Sequence, residues 1–381
     1  MNRDIFLMPL GGGQRVGASC YYLRLGDNNI LLDAGIGFEE GVVFEPDLYS
    51  LLTSPFIQSM NQINQIFISH AHGDHVGYLF RLMKSAERPS VYMSEVSYLL
   101  TEYQLYDKNF MLGGGRTEEE RLGAKFILDK IVKVSYMRTM NFGGYKVTFL
   151  PAGHIPGAVM LLFEFGRRRI LYTGDFSLEK TALTDGCLLP GEQVDTVILC
   201  GLHAKHPGYR KRSDSLYGVI NNIFSMVDRG RSVMCHVQQL SKGIEFIKTL
   251  NQRNQGKVPV FIDDSILPLI EKMEQLSIPV LDENDHVSPG SWINSPHVYV
   301  TARNRCRGFG VYEEIKIDFS LHEDFSGMKS FIKKVNPKQA FLVHCSREYW
   351  EGDSTIEQAM MMDGECRTQF TFAEEKEIYK L

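Results

Sequence analysis

Residues 69–75 read Ser-His-Ala-His-Gly-Asp-His, so four side chains of metal-ligating type fall within six positions. The run starts where a short apolar stretch, Gln-Ile-Phe-Ile-Ser over 65–69, has the character of a buried strand. It ends where the apolar spacing over 76–84 turns helical. In an extended chain, residues two apart project to the same side, so His70 and His72 can face one cation. Gly73 then allows a turn that carries Asp74 and His75 toward a second cation at the start of the helix. Imidazole and carboxylate together suit Zn²⁺, with Mn²⁺ or Fe²⁺ as alternatives. A solvated histidine-rich loop is the plain alternative, and the density of ligand types weighs against it.

Two further segments fit the same chemistry. His154 stands in a Gly/Pro turn, Pro-Ala-Gly-His-Ile-Pro-Gly, between strand-like stretches at 146–150 and 159–165. Asp175 stands just past a third stretch, 169–172, in Tyr-Thr-Gly-Asp-Phe-Ser, where a carboxylate can bridge two cations. Taken singly, each is ordinary turn chemistry. Their order and loop context tie them to the histidine run.

A chain of 381 residues is about two domains long, and 44% hydrophobic with 23% charged residues is the composition of a folded protein with a real core. The formal net charge of −5 argues against a basic nucleic-acid coat, so a polyanionic partner has to be held by a local patch. Seven cysteines without a CxxC pair read as reduced thiols, which points to the cytoplasm. No stretch approaches the roughly 18 apolar residues of a membrane span, and the N-terminus lacks the apolar length of a signal peptide.

The first third is hairpin-rich: strand-like segments at 20–25 and 29–33 flank Gly26-Asp27-Asn28. From about Asp195 the pattern changes. Strand-like segments at 196–199, 232–235, 258–262 and 298–300 alternate with helical patterns at 215–227 and 242–250, the grammar of βαβ units and a parallel sheet. A helix around 326–335 precedes a last strong strand at 339–343.

In order, Asp33 in Leu-Leu-Asp-Ala-Gly, the His-x-His-x-Asp-His run, His154 and Asp175 resemble the metallo-β-lactamase fold. The opening Leu-Gly-Gly-Gly-Gln-Arg-Val-Gly-Ala-Ser-Cys over 10–20 is similar to the β-CASP nucleases, the branch of RNase J and the mRNA 3′-end cleavage endonuclease. Residues 319–326, with His322, resemble that branch's motif B, and residues 337–344, with His344, its motif C. The resemblance implies an α/β fold: a metallo-β-lactamase αββα sandwich over 1–194 and 311–381, with an inserted Rossmann-like β-CASP domain over 195–310. It implies two Zn²⁺ ions (Mn²⁺ as alternative), one on His70, His72 and His154, the other on Asp74, His75 and His344, with Asp175 bridging. Asp74, Asp175 and His322 then carry catalysis, His322 by protonating or hydrogen-bonding the leaving oxygen, while Asp33 orients a ligand histidine.

Two positions depart from the family's pattern. The acidic residue of motif A is replaced by Cys200, a weaker partner for His322, unless Cys200 is simply a buried strand residue and His203 or Glu323 takes that part. Lys242 stands where the branch has an arginine, which keeps the charge but loses the bidentate fork. Lys205, Arg210, Lys211 and Arg212, then Arg303 and Arg305, form basic clusters with Tyr209 and Phe309 nearby, a mixture suited to tracking a single strand. Arg167-Arg168-Arg169, in a hairpin turn, reads as solvated surface. The expected function is metal-dependent hydrolysis of phosphodiesters, with single-stranded RNA as substrate and partner and DNA as the alternative. No membrane is involved, and a homodimer is left open. The rivals are a small-molecule hydrolase on the same fold and an RNA-binding pseudonuclease.

Overall fold

The computed structural model describes residues 4–86, 88–106, 123, 125–207, 209, 213–281, 287–289, 295–303, 311–345, 355–362 and 367–381. They fall into two compact units. The first comprises Met1–Glu179, Gly186–Arg210 and His322–Leu381; the second comprises Lys180–Asp185 and Lys211–Leu321.

The first unit contains two seven-stranded sheets. In spatial order, the first holds Tyr379–Lys380, Ile5–Gly11, Cys20–Leu25, Asn28–Leu32, Gln65–Phe67, Ser90–Ser94 and Val132–Val134. The second holds Gln369–Phe372, Gln339–Val343, Thr196–Cys200, Arg168–Tyr172, Val159–Phe165, Lys146–Pro151 and Thr139–Asn141. Each is antiparallel on one side and parallel on the other. The change falls between Asn28–Leu32 and Gln65–Phe67 in one sheet, and between Arg168–Tyr172 and Thr196–Cys200 in the other.

The period-two side-chain alternation explains why the sheets stack. Tyr21, Leu23, Ile30, Leu32 and Phe67 share one buried cluster with Val147, Phe149, Leu161, Phe163, Ile198 and Phe341 from the second sheet. The intervening Cys20, Tyr22, Leu31, Ile66 and Ile68 point the other way, into a cluster with Leu51, Leu79, Leu82 and Leu128 from the flanking helical segments. A strand buried on both faces tolerates no register slip, since a shift of one residue exchanges the two sets.

The second unit is a five-stranded, all-parallel sheet in the order Val287–Pro289, Val260–Ile262, Val298–Thr301, Ser232–His236 and Tyr312–Lys316. Helix Ser213–Asp228 precedes its first strand in sequence, and helices Ile244–Asn254 and Leu267–Gln275 lie between later ones. This is the Rossmann-like pattern expected, with a different boundary. Thr196–Cys200, expected to open the insertion at 195, is instead a strand of the first unit, paired in parallel with Arg168–Tyr172 and Gln339–Val343. All five of its residues are buried, as suits a central strand with both edges paired and both faces covered. The helix expected over 76–84 is divided into Gly73–Val76 and Leu79–Ser85. The one expected over 242–250 starts at Ile244, after a single wide turn at Gln239–Gly243.

Candidate metal centre

The site residues leave the C-terminal ends of strands from both sheets of the first unit. Asp33 follows Asn28–Leu32, His70 follows Gln65–Phe67, and His154 follows Lys146–Pro151; Asp175 follows Arg168–Tyr172, Cys200 ends its strand, and His344 follows Gln339–Val343. Carboxyl ends of strands are where α/β sheets hold ligands, because loops there converge without interrupting the core.

Backbone hydrogen bonds from the loop after Asp33 and from Ser19 help to fix the histidine run. Ala34 N–H donates to His75 O, Ile36 N–H to Gly73 O, and Ser19 N–H to Asp74 O, at 2.8–3.0 Å. That approach is possible only because residue 35 is glycine: a Cβ there would lie 1.7 Å from Asp74 O. Gly35→Ala is therefore expected to push the 73–75 turn away, costing about 1–3 kcal/mol of stability together with most of the bound metal. Thermal denaturation and elemental analysis of the variant check both.

Among the described residues three groups of donor atoms result, each within 4.8 Å: His70, His72, His154 and Asp175; Asp74, His75 and His344; Asp175, Cys200 and His322. His72 Nδ1 lies 3.0 Å from His70 Nε2 and 3.1 Å from His154 Nε2. One ring nitrogen has a single proton or lone pair and serves two such neighbours poorly, whereas a cation accepts all three lone pairs. Asp175 Oδ2 is 3.2 Å from His75 Nε2, 3.5 Å from His322 Nδ1, 3.6 Å from His70 Nε2 and 3.7 Å from His154 Nε2. Asp175 is 1% exposed, yet neither of its oxygens makes a well-directed hydrogen bond. Buried carboxylates are normally satisfied; this one is aimed at the place where the ligand atoms meet. Asp74 Oδ2 stands 3.8 Å from His344 Nε2 and 4.0 Å from His75 Nε2. The donor set fits divalent cations.

Charge and burial set the protonation of these rings. Burial holds His70 well below the ordinary histidine range and pushes His72 down to about 3, with neighbouring rings adding to the effect. Both are thus neutral and ready to bind a cation. Burial also disfavours charge on His75, but Asp175, Asp33 and Asp74 outweigh it and raise that histidine.

Asp33 lies behind the ligands. It is fully buried, has φ of 61°, and accepts from Ser69 N–H at 2.6 Å, Ser69 Oγ–H at 2.8 Å, His75 Nδ1 at 2.7 Å and the Tyr172 hydroxyl at 2.5 Å. This puts the His75 proton on Nδ1 and turns Nε2 toward Asp175. Ser19 Oγ takes the corresponding place against His344 Nδ1, at 3.1 Å. The sequence reading gave no part to the hydroxyls of Ser19, Ser69 and Tyr172.

Cys200 is 5% exposed, with Sγ 3.9 Å from His322 Nδ1. Burial raises its thiol well above the usual range, and Asp175 adds to that. Glu323 accepts the N–H groups of Leu178 and Asp324, and His203 stacks on Tyr209 with ring centroids 3.9 Å apart.

The expected substrate contacts change on inspection. Lys205 is only 2% exposed, with Nζ 5.1 Å above the Phe372 ring, so it packs inside the first unit and cannot track a phosphate chain from there. In the second unit Lys242 Nζ donates to Asp318 at 2.7 Å, and Arg303 Nε lies 3.1 Å from Asp263, so both cations are already matched by carboxylates. Arg210, Lys211, Arg212 and Arg305 lie outside the described residues. Arg169 in the hairpin pairs with Glu164 and Glu192, in keeping with a solvated face.

The sequence model of the metallo-beta-lactamase superfamily matches residues 13–214. The chain belongs to the metallo-beta-lactamase superfamily. It is similar to cleavage and polyadenylation specificity factor 73 of Drosophila melanogaster, 25% identical over 320 residues, 81% of this chain and 45% of that protein. RNase aCSPSF2 of Saccharolobus solfataricus is 26% identical over 278 residues, 71% of this chain and 53% of the relative. Endoribonuclease YSH1 of Yarrowia lipolytica is 28% identical over 255 residues, 64% and 29% respectively. These relatives bear out the β-CASP branch indicated by the motifs. The chain spans about half or less of the length of each. In overall fold it matches a crystal structure of a protein of unknown function from Enterococcus faecalis V583, with a TM-score of 0.67 at 13% identity, over 99% of this chain and 100% of that one. Family and donor groups together make this a divalent-metal site. Among the described residues, no helix is long and apolar enough to cross a membrane.

Proposed function

We propose that this protein hydrolyses phosphodiester bonds of single-stranded RNA at a binuclear metal centre. One observation carries the reading: a single buried carboxylate, Asp175, stands 3.2–3.7 Å from four imidazole nitrogens that belong to all three donor groups or adjoin them. His70, His72 and His154 would hold one ion, and Asp74, His75 and His344 the other, with Asp175 shared. Zn²⁺ suits this donor set best, with Mn²⁺ as the alternative. When bound, a pair of such ions polarises the phosphoryl group and acidifies water.

The chain's own groups complete the reaction. Asp33 holds the His75 Nδ1 proton, so Nε2 is the ring atom that would face a cation. Asp175, itself buried, would offset cationic charge. His322, whose side chain is 19% exposed, is held by burial below the ordinary histidine range, and as a neutral ring it would hydrogen-bond the departing oxygen. The second unit, with its parallel sheet, corresponds to the β-CASP-like insertion. The names of the relatives, an RNase and an endoribonuclease among them, favour RNA over DNA. The free thiols Cys20, Cys187, Cys200, Cys235 and Cys345 fit a reducing compartment such as the cytoplasm.

The test is cleavage of a 5′-labelled single-stranded RNA by the Zn²⁺-loaded chain. Shortened fragments are expected, lost on chelation and absent with Asp74→Ala. RNA binding without cleavage would mean a pseudonuclease, and hydrolysis of a thioester or lactam with RNA left intact would mean a small-molecule enzyme.

A further inference from the structure

We propose that Cys200 is itself a metal donor, forming with Asp175 and His322 a sulfur-containing corner that biases the centre toward Zn²⁺ and away from Mn²⁺. The inference rests on the metal-centre reading above and goes beyond it, because the ligand sets given there are complete without sulfur. The donor atoms of Asp175, Cys200 and His322 all lie within 4.8 Å of one another. Asp175, which belongs to this group and to the four-residue group, has both oxygens buried without a well-directed hydrogen bond, so the carboxylate is aimed at a ligand that the protein alone does not supply.

The backbone fixes where the sulfur points. Cys200 pairs with Val343 in parallel register, one residue before His344, and its N–H donates to Thr173 Oγ1 at 3.0 Å, two residues before Asp175. The strand is thus held on both sides by the segments that deliver ligands. Sγ lies 3.9 Å from His322 Nδ1. As a hydrogen bond that contact is weak, since sulfur is a poor partner at any length. As a pair of donors to one ion it is well spaced: with Zn–S of about 2.3 Å and Zn–N of about 2.0 Å, tetrahedral neighbours stand about 3.5 Å apart.

Coordination breaks the S–H bond, releases its proton to solvent and forms a sulfur–metal bond. Because His322 approaches this corner through Nδ1, the hydrogen bond to the leaving oxygen falls to Nε2–H. A thiolate favours Zn²⁺ over the harder Mn²⁺, so the cysteine in place of a carboxylate acts on the choice of ion.

Cobalt reports both levels of the argument. The Co²⁺-loaded full chain is expected to show visible ligand-field bands together with a sulfur-to-cobalt charge-transfer band in the near ultraviolet. The latter should be lost in Cys200→Ser and kept in Cys345→Ser. Zn²⁺ affinity of Cys200→Ser should drop at least about tenfold, with Mn²⁺ affinity little changed. Ligand-field bands without the sulfur band would overturn the proposal and leave the metal centre standing. Absence of every cobalt band would overturn the metal centre and the proposal with it. A sulfur band that survives Cys200→Ser would assign the thiolate elsewhere and also overturn it. Should the serine variant fail to fold, X-ray absorption of the Zn²⁺-loaded unmodified chain decides the same point: a sulfur neighbour is expected, and a shell of nitrogen and oxygen alone contradicts it.

Discussion

Asp175→Asn is expected to remove RNA cleavage, by more than the roughly 100-fold that loss of a supporting group costs at a metal site. The side chain keeps its size, but it loses the charge that faces His70, His75, His154 and His322 at 3.2–3.7 Å. Two cations a few ångströms apart repel each other, and a shared carboxylate is what offsets that repulsion. The amide presents one oxygen and no net charge, so one ion should be held weakly or not at all. Packing around the residue is unchanged, so the circular dichroism spectrum should match that of the parent. Single-turnover cleavage measured with elemental analysis on the same sample checks the expectation. Full activity with full metal would show that Asp175 bridges nothing.

A second large effect is expected at a residue that touches no substrate. Asp33→Ala leaves the Ser69 N–H and hydroxyl, the Tyr172 hydroxyl and His75 Nδ1 without their common acceptor in a fully buried place. Removing one partner from such a buried charged network costs about 3–5 kcal/mol. His75 then loses its fixed tautomer, and metal affinity should drop roughly 10–100-fold. Denaturant unfolding and a competition titration with a chelator measure the two effects separately. Asp33→Asn should recover much of the stability through its remaining oxygen and little of the affinity. A stability loss with unchanged affinity would reduce Asp33 to a purely structural part.

Residues whose meaning is local were legible in the sequence. His70, His72, Asp74 and His75 fall within six positions, and a strand–turn–helix context fixes their direction, so spacing alone announced a cation site. His154, Asp175 and His344 gained meaning from order and from the strands before them. The hydroxyls behind the ligands were not legible. Tyr172 and Asp33 are 139 positions apart, and Ser19 and His344 are 325 apart; such contacts exist only once two sheets have stacked. Lys205 shows the opposite error. A lysine among other basic residues looks solvated, but its stem and ammonium lie against Phe372, and composition carries no information on which side of a turn is covered.

The boundary of the second unit was misplaced for a related reason. Thr196–Cys200 has the apolar run of a buried parallel strand, and such a run says nothing about which sheet it joins. Its partners, Arg168–Tyr172 and Gln339–Val343, lie on opposite sides of the insertion in sequence. Tyr312–Lys316 carries no apolar signal, because it is an edge strand with Glu313, Glu314 and Lys316 on it, and charges that protect an edge also erase that signal.

The central claim is a paired-cation site built from His70, His72, Asp74, His75, His154, Asp175 and His344. Elemental analysis of the full chain after loading with Zn²⁺ and removal of free ions tests it most directly. About two ions per chain are expected, with about one lost in Asp74→Ala. A folded protein that retains only trace metal after loading with either Zn²⁺ or Mn²⁺ would contradict the account.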